Sequence, residues 1–422
     1  MKILIVSCHG AGIWFALRLR REGFKVDVYL LDRKCERILQ GIVGNYIFIK
    51  PNFANYNLIL FDSTGNPKLA EEASNYAPVI GDSDFASTLE DDRLFGLETM
   101  ERCGIEVPHY EVFDAGQLSK AKSFVAKNKD KKYVFKPFST TGQEQDTATT
   151  YKSEGAEDLI EYIDKLEELS HGSEFILQEV VQGTEISTEG WFDGEEFFLV
   201  NSTLEEKKFM NDGIGPNTGC AGNIVWTYGQ NPRIFKAGLE KITPLLQEIE
   251  YTGMIDLNTI VNNSHVWGLE WTPRFGYDAA ATLFHAISSD IGEFFFRIAT
   301  GDGAEPRISL PFSASTRVTI PPYPSECDEY YHENVPINGI DEKDLENIYL
   351  YDCCVNNNDL VTAGWSGDVC TVLGRGRSFE TAWYFVEEKI KKIKIPDMQY
   401  RSDLCKSTAK RFQELSCMGY LK

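Results

Sequence analysis

The first 90 residues alternate between strand-like and helix-like patterns, and this alternation limits the folds open to the chain. An apolar run, KILIVS, is followed by a glycine turn at residues 9–12 and by a helical pattern, IWFALRLRREG, that ends at Gly23. Two more apolar runs, VDVYLL and LILFD, follow with turn residues after them. Strands joined through helices indicate a parallel sheet. We therefore predict a nucleotide-like α/β domain over residues 1–90.

The glycine turn after the first strand is only a weak nucleotide-binding signal. Gly10 and Gly12 are present, but the third glycine of a dinucleotide fingerprint is missing. The turn can approach a phosphate, yet the pattern favours a nucleotide-type fold that binds no dinucleotide.

Composition excludes several classes of protein. A chain of 422 residues with 42% hydrophobic and 25% charged residues is typical of a soluble globular protein with two to four packed units. No apolar run is long enough to cross a bilayer, and the first run is too short for a signal peptide. The net charge of −22 opposes nonspecific attraction to nucleic acid phosphates.

The ten cysteines stand at irregular spacings without a CxxC pair. This spacing offers neither a zinc site nor a disulfide framework, so we expect reduced thiols and a cytoplasmic location.

Pattern shifts near residues 90 and 305 divide the rest of the chain. Between them we predict a helix closed by Gly104, a strand entered through Pro108, a strand ending YVFK, an acidic helix EDLIEYIDKLEEL, and several longer strands. The runs MIDLNTIV and VWGLEW are predicted to form a hairpin. We predict a second unit over residues 91–305 and a third over residues 306–422.

The most distinctive short stretch is Gly215-Pro216-Asn217-Thr218-Gly219. Two glycines bracket small polar residues, so the backbone can turn tightly and direct amides and hydroxyls to one place, as in an anion-binding loop. Because the same residue types fill many ordinary turns, a surface turn is the alternative.

Two acidic residues of the predicted hairpin are candidates for a metal site. Asp256 and Glu270 have apolar neighbours, which places both at inward-pointing positions. Buried carboxylates need a cation, and Mg²⁺ accepts such hard oxygen ligands. Alternatively, one or both face water. Arg274 follows in a Pro-Arg-Phe-Gly turn, where it can hold a phosphate or pair with a carboxylate.

Two further stretches suit a nucleotide. Lys136 ends a strand just before a Ser/Thr/Gly loop, where it can pair with a phosphate or simply extend into solvent. The backbone of Gln178-Glu179-Val180-Val181 can contact an adenine edge, and Glu185 can accept from ribose hydroxyls.

Taken in order, these stretches resemble the glycinamide ribonucleotide synthetase family, also called phosphoribosylamine–glycine ligase, of the ATP-grasp superfamily. GPNTGCAG at residues 215–222 resembles the family's GPNTGGMG, and LEWTPRFG at residues 269–276 resembles EFNCRFGD. The run Glu205-Glu206-Lys207-Lys208 stands where the family has Asp-His-Lys-Arg. The segments STRVTIPPYP, GDVCTVLGRGRSFETA and YRSDL resemble C-terminal segments of the family in the same order.

This resemblance implies an α/β ATP-grasp fold with an N-terminal parallel-sheet domain, ATP-grasp lobes over residues 91–305 with a smaller lobe at about 110–180, and a C-terminal α+β domain over residues 306–422. The implied reaction transfers the γ-phosphoryl group of ATP to a carboxylate, after which an amine displaces phosphate to form an amide. The implied cofactors are ATP and Mg²⁺, with Mn²⁺ as a possible substitute. The implied partners are small molecules, an amino acid and an amine, and the protein is expected to be a monomer or homodimer that binds no membrane.

The resemblance also assigns roles to individual residues. The expected ATP contacts are Arg93, Lys136, Gln178, Glu179, Val181 and Glu185; the metal ligands are Asp256, Glu270 and Thr272; the substrate contacts are Gly215, Pro216, Asn217, Thr218, Gly219 and Glu205; the catalytic residues are Arg274, Asn217, Thr218 and Lys207.

Several positions depart from the family pattern. Thr272 stands where the family has a metal-binding asparagine, Arg93 stands near an expected lysine, and the phosphate loop from Phe138 to Thr147 lacks a lysine. The turn at residues 9–13, the segment at residues 61–63 and Asp368 all differ where the family holds phosphoribosylamine. The amine can therefore be a different one.

Two alternatives to such a ligase remain open at this point. The chain can be a catalytically silent relative that binds nucleotide or a protein partner, or a ligase that joins two amino acids.

Overall fold

The structure is a computed structural model that describes residues 1–44, 46–138, 150–168, 173–228, 232–275, 277–325 and 332–421. Contacts divide the chain into two compact units. Unit 1 comprises Met1–Ser87, Ile186–Asp256 and Thr272–Lys422, and unit 2 comprises Thr88–Glu185 and Leu257–Trp271. The three-part division predicted from the sequence stays a prediction.

The strands follow one another along both units. They are β1 Lys2–Ser7, β2 Lys25–Leu30, β3 Leu58–Phe61, β4 Val79–Ile80, β5 Tyr110–Phe113, β6 Tyr133–Pro137, β7 Tyr151–Lys152, β8 Phe175–Glu179, β9 Thr184–Phe192, β10 Phe197–Lys208, β11 Asn217–Thr227, β12 Gly253–Val261, β13 Val266–Thr272, β14 Phe312–Thr319, β15 Ile348–Leu350, β16 Cys353–Asn356, β17 Asp359–Thr362 and β18 Asp368–Gly376.

The helices have between 5 and 14 residues, and the last two follow the last strand. They are α1 Trp14–Arg21, α2 Pro67–Ser74, α3 Asp84–Asp91, α4 Arg93–Arg102, α5 Leu118–Lys127, α6 Ala156–Glu168, α7 Arg233–Ala237, α8 Thr243–Glu248, α9 Tyr277–Ala286, α10 Ile291–Ala299, α11 Phe379–Ile390 and α12 Leu404–Cys417. No helix in the described ranges is long and apolar enough to span a bilayer. The cysteines of the described residues are free thiols.

The N-terminal sheet confirms the predicted parallel arrangement. Its order is β2-β1-β3-β4, and β1 pairs in parallel with both β2 and β3. Nearly every residue of β1 and β3 is buried, as expected for strands covered on both faces. Helix α1 ends two residues before Gly23, whose φ of 90° is accessible to glycine at little cost.

The large sheet is mostly antiparallel and joins strands that are far apart in the sequence. Its order is β13-β12-β9-β10-β11-β14-β18-β15. Within unit 1, β14 pairs with β11 on one side and with β18 on the other. Residues beyond 306 therefore share one sheet with β10 and β11. The boundary between the two units runs through β9 and β12.

Unit 2 contains a smaller antiparallel sheet, β5-β8-β6-β7, covered by α5 and α6. Buried side chains of both helices and of β6 and β8 form one core, which includes Leu118, Val125, Phe135, Leu159 and Phe175. The helix predicted at EDLIEYIDKLEEL is α6, and its apolar positions recur at the spacing of one helical face. This sheet fixes the positions of Lys136 and Gln178.

Candidate active site

Lys136 and Gln178 contact each other on neighbouring strands of unit 2. Lys136 lies near the end of β6, and its Nζ donates to Oε1 of Gln178 on β8 across 2.8 Å. Gln178 is 2% exposed, and its Nε2 has no hydrogen-bond partner among the described residues. A buried amide donor without a partner costs free energy that a bound acceptor would recover. The structure thus joins two of the expected ATP contacts.

The segment after Gln178 offers mainly backbone groups. The amide of Glu179 donates to the carbonyl of His109 at 2.8 Å, so a contact between Glu179 and adenine would come from its carbonyl oxygen. The Glu179 carboxylate pairs with Lys131 and lies 3.5 Å from Nδ1 of His109. Val181 follows β8 and is half-buried.

Asn258 connects two of the expected site carboxylates, and the sequence analysis did not find it. Its Nδ2 donates to Oε1 of Glu185 at 3.0 Å and to Oε1 of Glu270 at 3.3 Å. Asn258 is 4% exposed, and its Oδ1 has no partner within the described ranges. The two-residue period of β12 places Asn258 on the same face as Asp256, a signal that could have identified it.

Arg93 lies at the start of α4 and holds the end of β6. Its Nε donates to the carbonyl of Pro137 at 2.9 Å. Burial lowers the pKa of the Arg93 guanidinium, while the nearby charge of Glu270 raises it. The group remains charged because an arginine begins from a pKa far above neutrality. The expected phosphate loop reaches residue 147, and its residues from 139 onward lie outside the described residues.

The expected metal ligands differ in burial. Asp256 on β12 is 8% exposed, in agreement with an inward-pointing position, whereas Glu270 on β13 is exposed, in agreement with the alternative that one of the two acids faces water. The adjacent Trp271 takes the buried position and donates its indole N–H to the carbonyl of Gly96 at 3.0 Å. Since neighbouring residues of a strand face opposite ways, Glu270 is turned outward.

Thr272 and Arg274 follow in unit 1, and both are half-buried. Arg274 Nη1 donates to the carbonyl of Phe275 at 3.3 Å. Within the described ranges, no group of three or more His, Cys, Asp or Glu side chains is arranged to hold a metal ion.

The stretch from Gly215 to Gly219 leads from the connection at residues 209–216 into β11. Gly215 has a φ of 85°, while Asn217, Thr218 and Gly219 already belong to β11. Only Gly215 and Pro216 of the stretch therefore lie in the loop of the β10–β11 hairpin. Thr218 Oγ1 donates to the carbonyl of Lys207 at 3.0 Å, which closes the hairpin.

Glu205 and Lys207 lie near the end of β10 and are half-buried. Between them, Glu206 is fixed from the C-terminal segment. Its carboxylate accepts from Ser407 at 2.6 Å, from Arg411 at 2.7 Å and from Arg401 at 3.2 Å. These contacts hold the strand that carries Glu205 and Lys207.

A cavity of about 260 Å³ lies within unit 1. It brings together segments that the sequence analysis singled out separately, because His9, Ala11, Gly219 and Asp368 all line it. The other lining residues are Trp14, Asp278, Ala281, Arg317, Tyr323, Tyr349, Leu350, Tyr351, Ser366 and Thr371. We name it the unit 1 cavity.

Arg317 forms the charged centre of the unit 1 cavity. Its Nη2 donates to Oδ2 of Asp278, its Nη1 donates to the Tyr323 hydroxyl at 2.6 Å, and its Nε lies 3.2 Å from Oδ2 of Asp368. Thr371 Oγ1 donates to the other oxygen of Asp278 at 2.8 Å. Burial and Asp278 raise the pKa of Asp368 to about 7, although Arg317 lowers it. The sequence analysis found neither Asp278 nor Arg317.

The glycine turn of the unit 1 cavity is fixed by Asp62. Oδ2 of Asp62 accepts from Ser7 Oγ at 2.5 Å and from the Gly12 amide at 2.7 Å. A Cβ at Gly12 would lie 2.4 Å from the Asp62 Cβ, so only glycine allows this approach. On the other side, the Tyr351 hydroxyl donates to the carbonyl of His9 at 3.1 Å.

Asp352 fixes the segment that precedes Asp368. Its carboxylate accepts from the amides of Trp365, Ser366 and Gly367 at 2.7–2.9 Å. Burial raises the pKa of Asp352, although these amides act to lower it. Asp352 thus sets the backbone position of Ser366, which lines the cavity, and of Gly367, which precedes the lining residue Asp368.

Known proteins resemble the central segment of this chain and, more distantly, most of its length. Residues 91–279 match the family model for the phosphoribosylglycinamide synthetase ATP-grasp (A) domain. The phosphoribosylamine–glycine ligase of Leptospira interrogans is 22% identical over 340 residues, 78% of this chain and 77% of the relative. That of Methanocella arvoryzae is 21% identical over 417 residues, 93% of this chain and 94% of the relative.

Solved structures show the same fold over nearly the whole chain. The phosphoribosylamine–glycine ligase of Thermotoga maritima superposes with a TM-score of 0.72 at 19% identity, covering 96% of this chain and 100% of that one. The biotin carboxylase of Campylobacter jejuni, solved with an ATP analogue, gives a TM-score of 0.66 at 12% identity and covers 100% of this chain and 97% of that one. The fold is therefore the ATP-grasp fold predicted from the sequence.

Proposed function

Because this chain is a divergent member of the phosphoribosylglycinamide synthetase family with an ATP-grasp fold, we propose that it is an ATP-dependent ligase that joins a carboxylate to an amine. The substrates proposed are glycine or another small amino acid and an amine, either phosphoribosylamine or a different one. A silent relative is not favoured, since the relatives that it matches along most of its length are ligases.

The observation that supports ATP binding most directly is the Lys136–Gln178 pair. A lysine ammonium attracts phosphate oxygens, and Gln178 holds this ammonium through a 2.8 Å hydrogen bond. The buried Nε2 of Gln178 would donate to an adenine nitrogen. Glu185 would accept from the ribose hydroxyls, and Arg93 would add positive charge next to the phosphates. The backbone of Glu179 and Val181 would border the adenine.

A divalent cation belongs to the proposed reaction, and Mg²⁺ is the ion that we propose, with Mn²⁺ as a substitute. The residues present fit such an ion, because Glu270 and the buried Oδ1 of Asn258 are hard oxygen donors, and Asn258 is joined to Glu270 through its Nδ2. Asp256 and Thr272 are the other proposed ligands. When bound, the cation would neutralise charge on the phosphate oxygens.

The proposed chemistry runs in two steps. A carboxylate oxygen of the amino acid attacks the γ-phosphorus of ATP, the bond to the β–γ bridging oxygen breaks, and ADP leaves. The neutral amine then attacks the acyl carbon, phosphate leaves, and the nitrogen loses a proton. Positioning and charge neutralisation supply most of the acceleration in phosphoryl transfer.

The remaining residues of the proposal act on the amino acid and the transferred group. Arg274 would pair with the transferred phosphoryl group, and Lys207 would add positive charge. Asn217 and Thr218 would donate hydrogen bonds to the substrate carboxylate, with Gly215, Pro216, Gly219 and Glu205 shaping its surroundings. The hydrogen bond from Thr218 to the Lys207 carbonyl supports this grouping, because it holds both residues in place.

The first step can be tested without knowing the amine. The purified chain is incubated with ATP, Mg²⁺ and each amino acid in the presence of hydroxylamine, which converts an acyl phosphate to a coloured hydroxamate. We expect hydroxamate and equimolar ADP with at least one small amino acid. Absence of hydroxamate with every amino acid, in a folded sample that binds ATP, would contradict the proposal.

A further inference from the structure

The unit 1 cavity has a charge balance that is unsuited to a phosphate. Arg317 is its only arginine or lysine among the lining residues of the described chain. Two carboxylates, Asp278 and Asp368, already pair with this guanidinium. The net charge of these three side chains is therefore zero or negative. A phosphate dianion would be repelled by each ionised aspartate.

Two of the donor groups of Arg317 are also occupied, whereas its Nε has no hydrogen-bond partner among the described residues. Nη2 donates to Asp278, and Nη1 donates to the hydroxyl of Tyr323. Nε faces Asp368 at 3.2 Å. Turning the guanidinium toward a ligand phosphate would break its buried ion pair with Asp278, which is strongly destabilising.

One acceptor of the cavity remains without a partner. Oδ1 of Asp368 is buried and accepts no hydrogen bond from any described residue. Asp352 fixes the residues just before Asp368, so this carboxyl group has little freedom to move away. The raised pKa of Asp368, about 7, follows from the same burial and from the nearby charge of Asp278, which together outweigh the opposite effect of Arg317.

The walls of the cavity are aromatic. Trp14, Tyr323, Tyr349 and Tyr351 line it, and the rings of Trp14 and Tyr349 stack at 4.3 Å. Aromatic faces attract cations as well as apolar groups. The volume of about 260 Å³ suits a small molecule.

We propose that the unit 1 cavity binds the amine substrate and selects a small amine that carries no phosphate, with Asp368 as the acceptor for its ammonium group. This inference rests on the proposed ligase function and narrows its second substrate. Asp368 is the specificity-determining residue of the cavity, and an arginine at this position would favour a phosphorylated amine instead.

Matched pairs of amines that differ only in a phosphate provide the test. Ethanolamine is compared with O-phosphoethanolamine, and ribosylamine with 5-phosphoribosylamine, each titrated into the full chain by calorimetry without ATP. The proteins are the unaltered chain, Asp368→Asn, Asp368→Arg and the control Asp359→Asn, whose aspartate is exposed on β17. Thermal unfolding verifies that each variant is folded.

We expect the unphosphorylated member of at least one pair to bind about tenfold or more tightly than its phosphorylated partner. Asp368→Asn should remove that preference, Asp368→Arg should reverse it, and Asp359→Asn should leave it unchanged. If Asp368→Arg does not fold, the comparison of the unaltered chain with Asp368→Asn decides alone.

Preference for the phosphorylated members, equal binding within each pair, or no binding of any unphosphorylated amine would overturn the inference. So would a preference that survives Asp368→Asn. Hydroxamate formation is measured on the same samples, because it does not depend on the amine. A chain that makes hydroxamate but prefers phosphorylated amines refutes this inference alone, whereas a chain that makes none refutes the proposed function.

Discussion

The ammonium group of Lys136 donates a hydrogen bond of 2.8 Å to the side-chain oxygen of Gln178, across neighbouring strands of the smaller sheet. If this lysine holds ATP phosphates, Lys136→Met should raise the KM for ATP by about 30- to 1,000-fold, equivalent to about 2–4 kcal/mol. Steady-state ADP release measures the effect. Lys132→Met is the matched control, because Lys132 is an exposed lysine near the start of the same strand that pairs with Glu154. Equal KM values in both variants would contradict the assignment.

Asn258 should govern the response to metal. Asn258→Leu keeps the branched shape of the side chain but removes the donor that joins Glu185 and Glu270 and the buried oxygen beside them. We expect the Mg²⁺ concentration for half-maximal ADP release to rise about tenfold or more. Asn263→Leu, at an exposed position in the turn between β12 and β13, should leave it unchanged. An unaltered Mg²⁺ dependence in Asn258→Leu would remove Asn258 from the metal site.

Gly12 should tolerate no side chain. In Gly12→Ala the new Cβ would lie 2.4 Å from the Asp62 Cβ, so the turn must shift or lose its hydrogen bonds to Asp62. We expect a loss of stability of about 1–3 kcal/mol, seen as a lower midpoint of thermal unfolding. In the control Gly155→Ala the nearest atom outside the chain neighbours is 3.7 Å away. The prediction fails if both variants unfold at the same temperature.

His285 should make the fold sensitive to acid. Burial, together with the charges of Arg375 and Lys389, lowers the pKa of His285 from 6.5 to about 3. Between these pH values the unfolded chain binds a proton at this residue and the folded chain does not, so stability falls as the pH drops from about 6.5 toward 3. His285→Gln should reduce the difference between urea midpoints at pH 7 and pH 4.5. If the difference between the two urea midpoints is the same in His285→Gln, groups other than His285 cause the loss of stability in acid.

Much of the fold and part of the site follow from local sequence patterns. The strand that carries Lys136, the turn at Gly23 and the hairpin that carries Glu270 are each specified by residues close together in the chain. The sequence left open whether Glu270 points inward or faces water, because both it and Trp271 suit a strand and only the packing of the indole against Gly96 decides between them.

The charged network of the unit 1 cavity could not be predicted in this way. Arg317 and Asp278 are 39 residues apart, and Asp278 and Thr371 are 93 apart. Their contact depends on how α9, β14 and β18 pack. Arg317 and Thr371 stand in segments that resemble the family, but those segments give no indication that the two residues meet Asp278. Asp368 was noticed only as a departure from the family pattern, without its ion-pair partner.

The pairing of β14 with both β11 and β18 has a consequence for how the protein is made. While a ribosome is still translating residues before 312, the edge of β11 that pairs with β14 has no partner from this part of the chain. Exposed strand edges invite association with other chains. The nascent chain can cover this edge of β11 only after β14 has been translated. A fragment that ends before β14 should therefore be prone to aggregate.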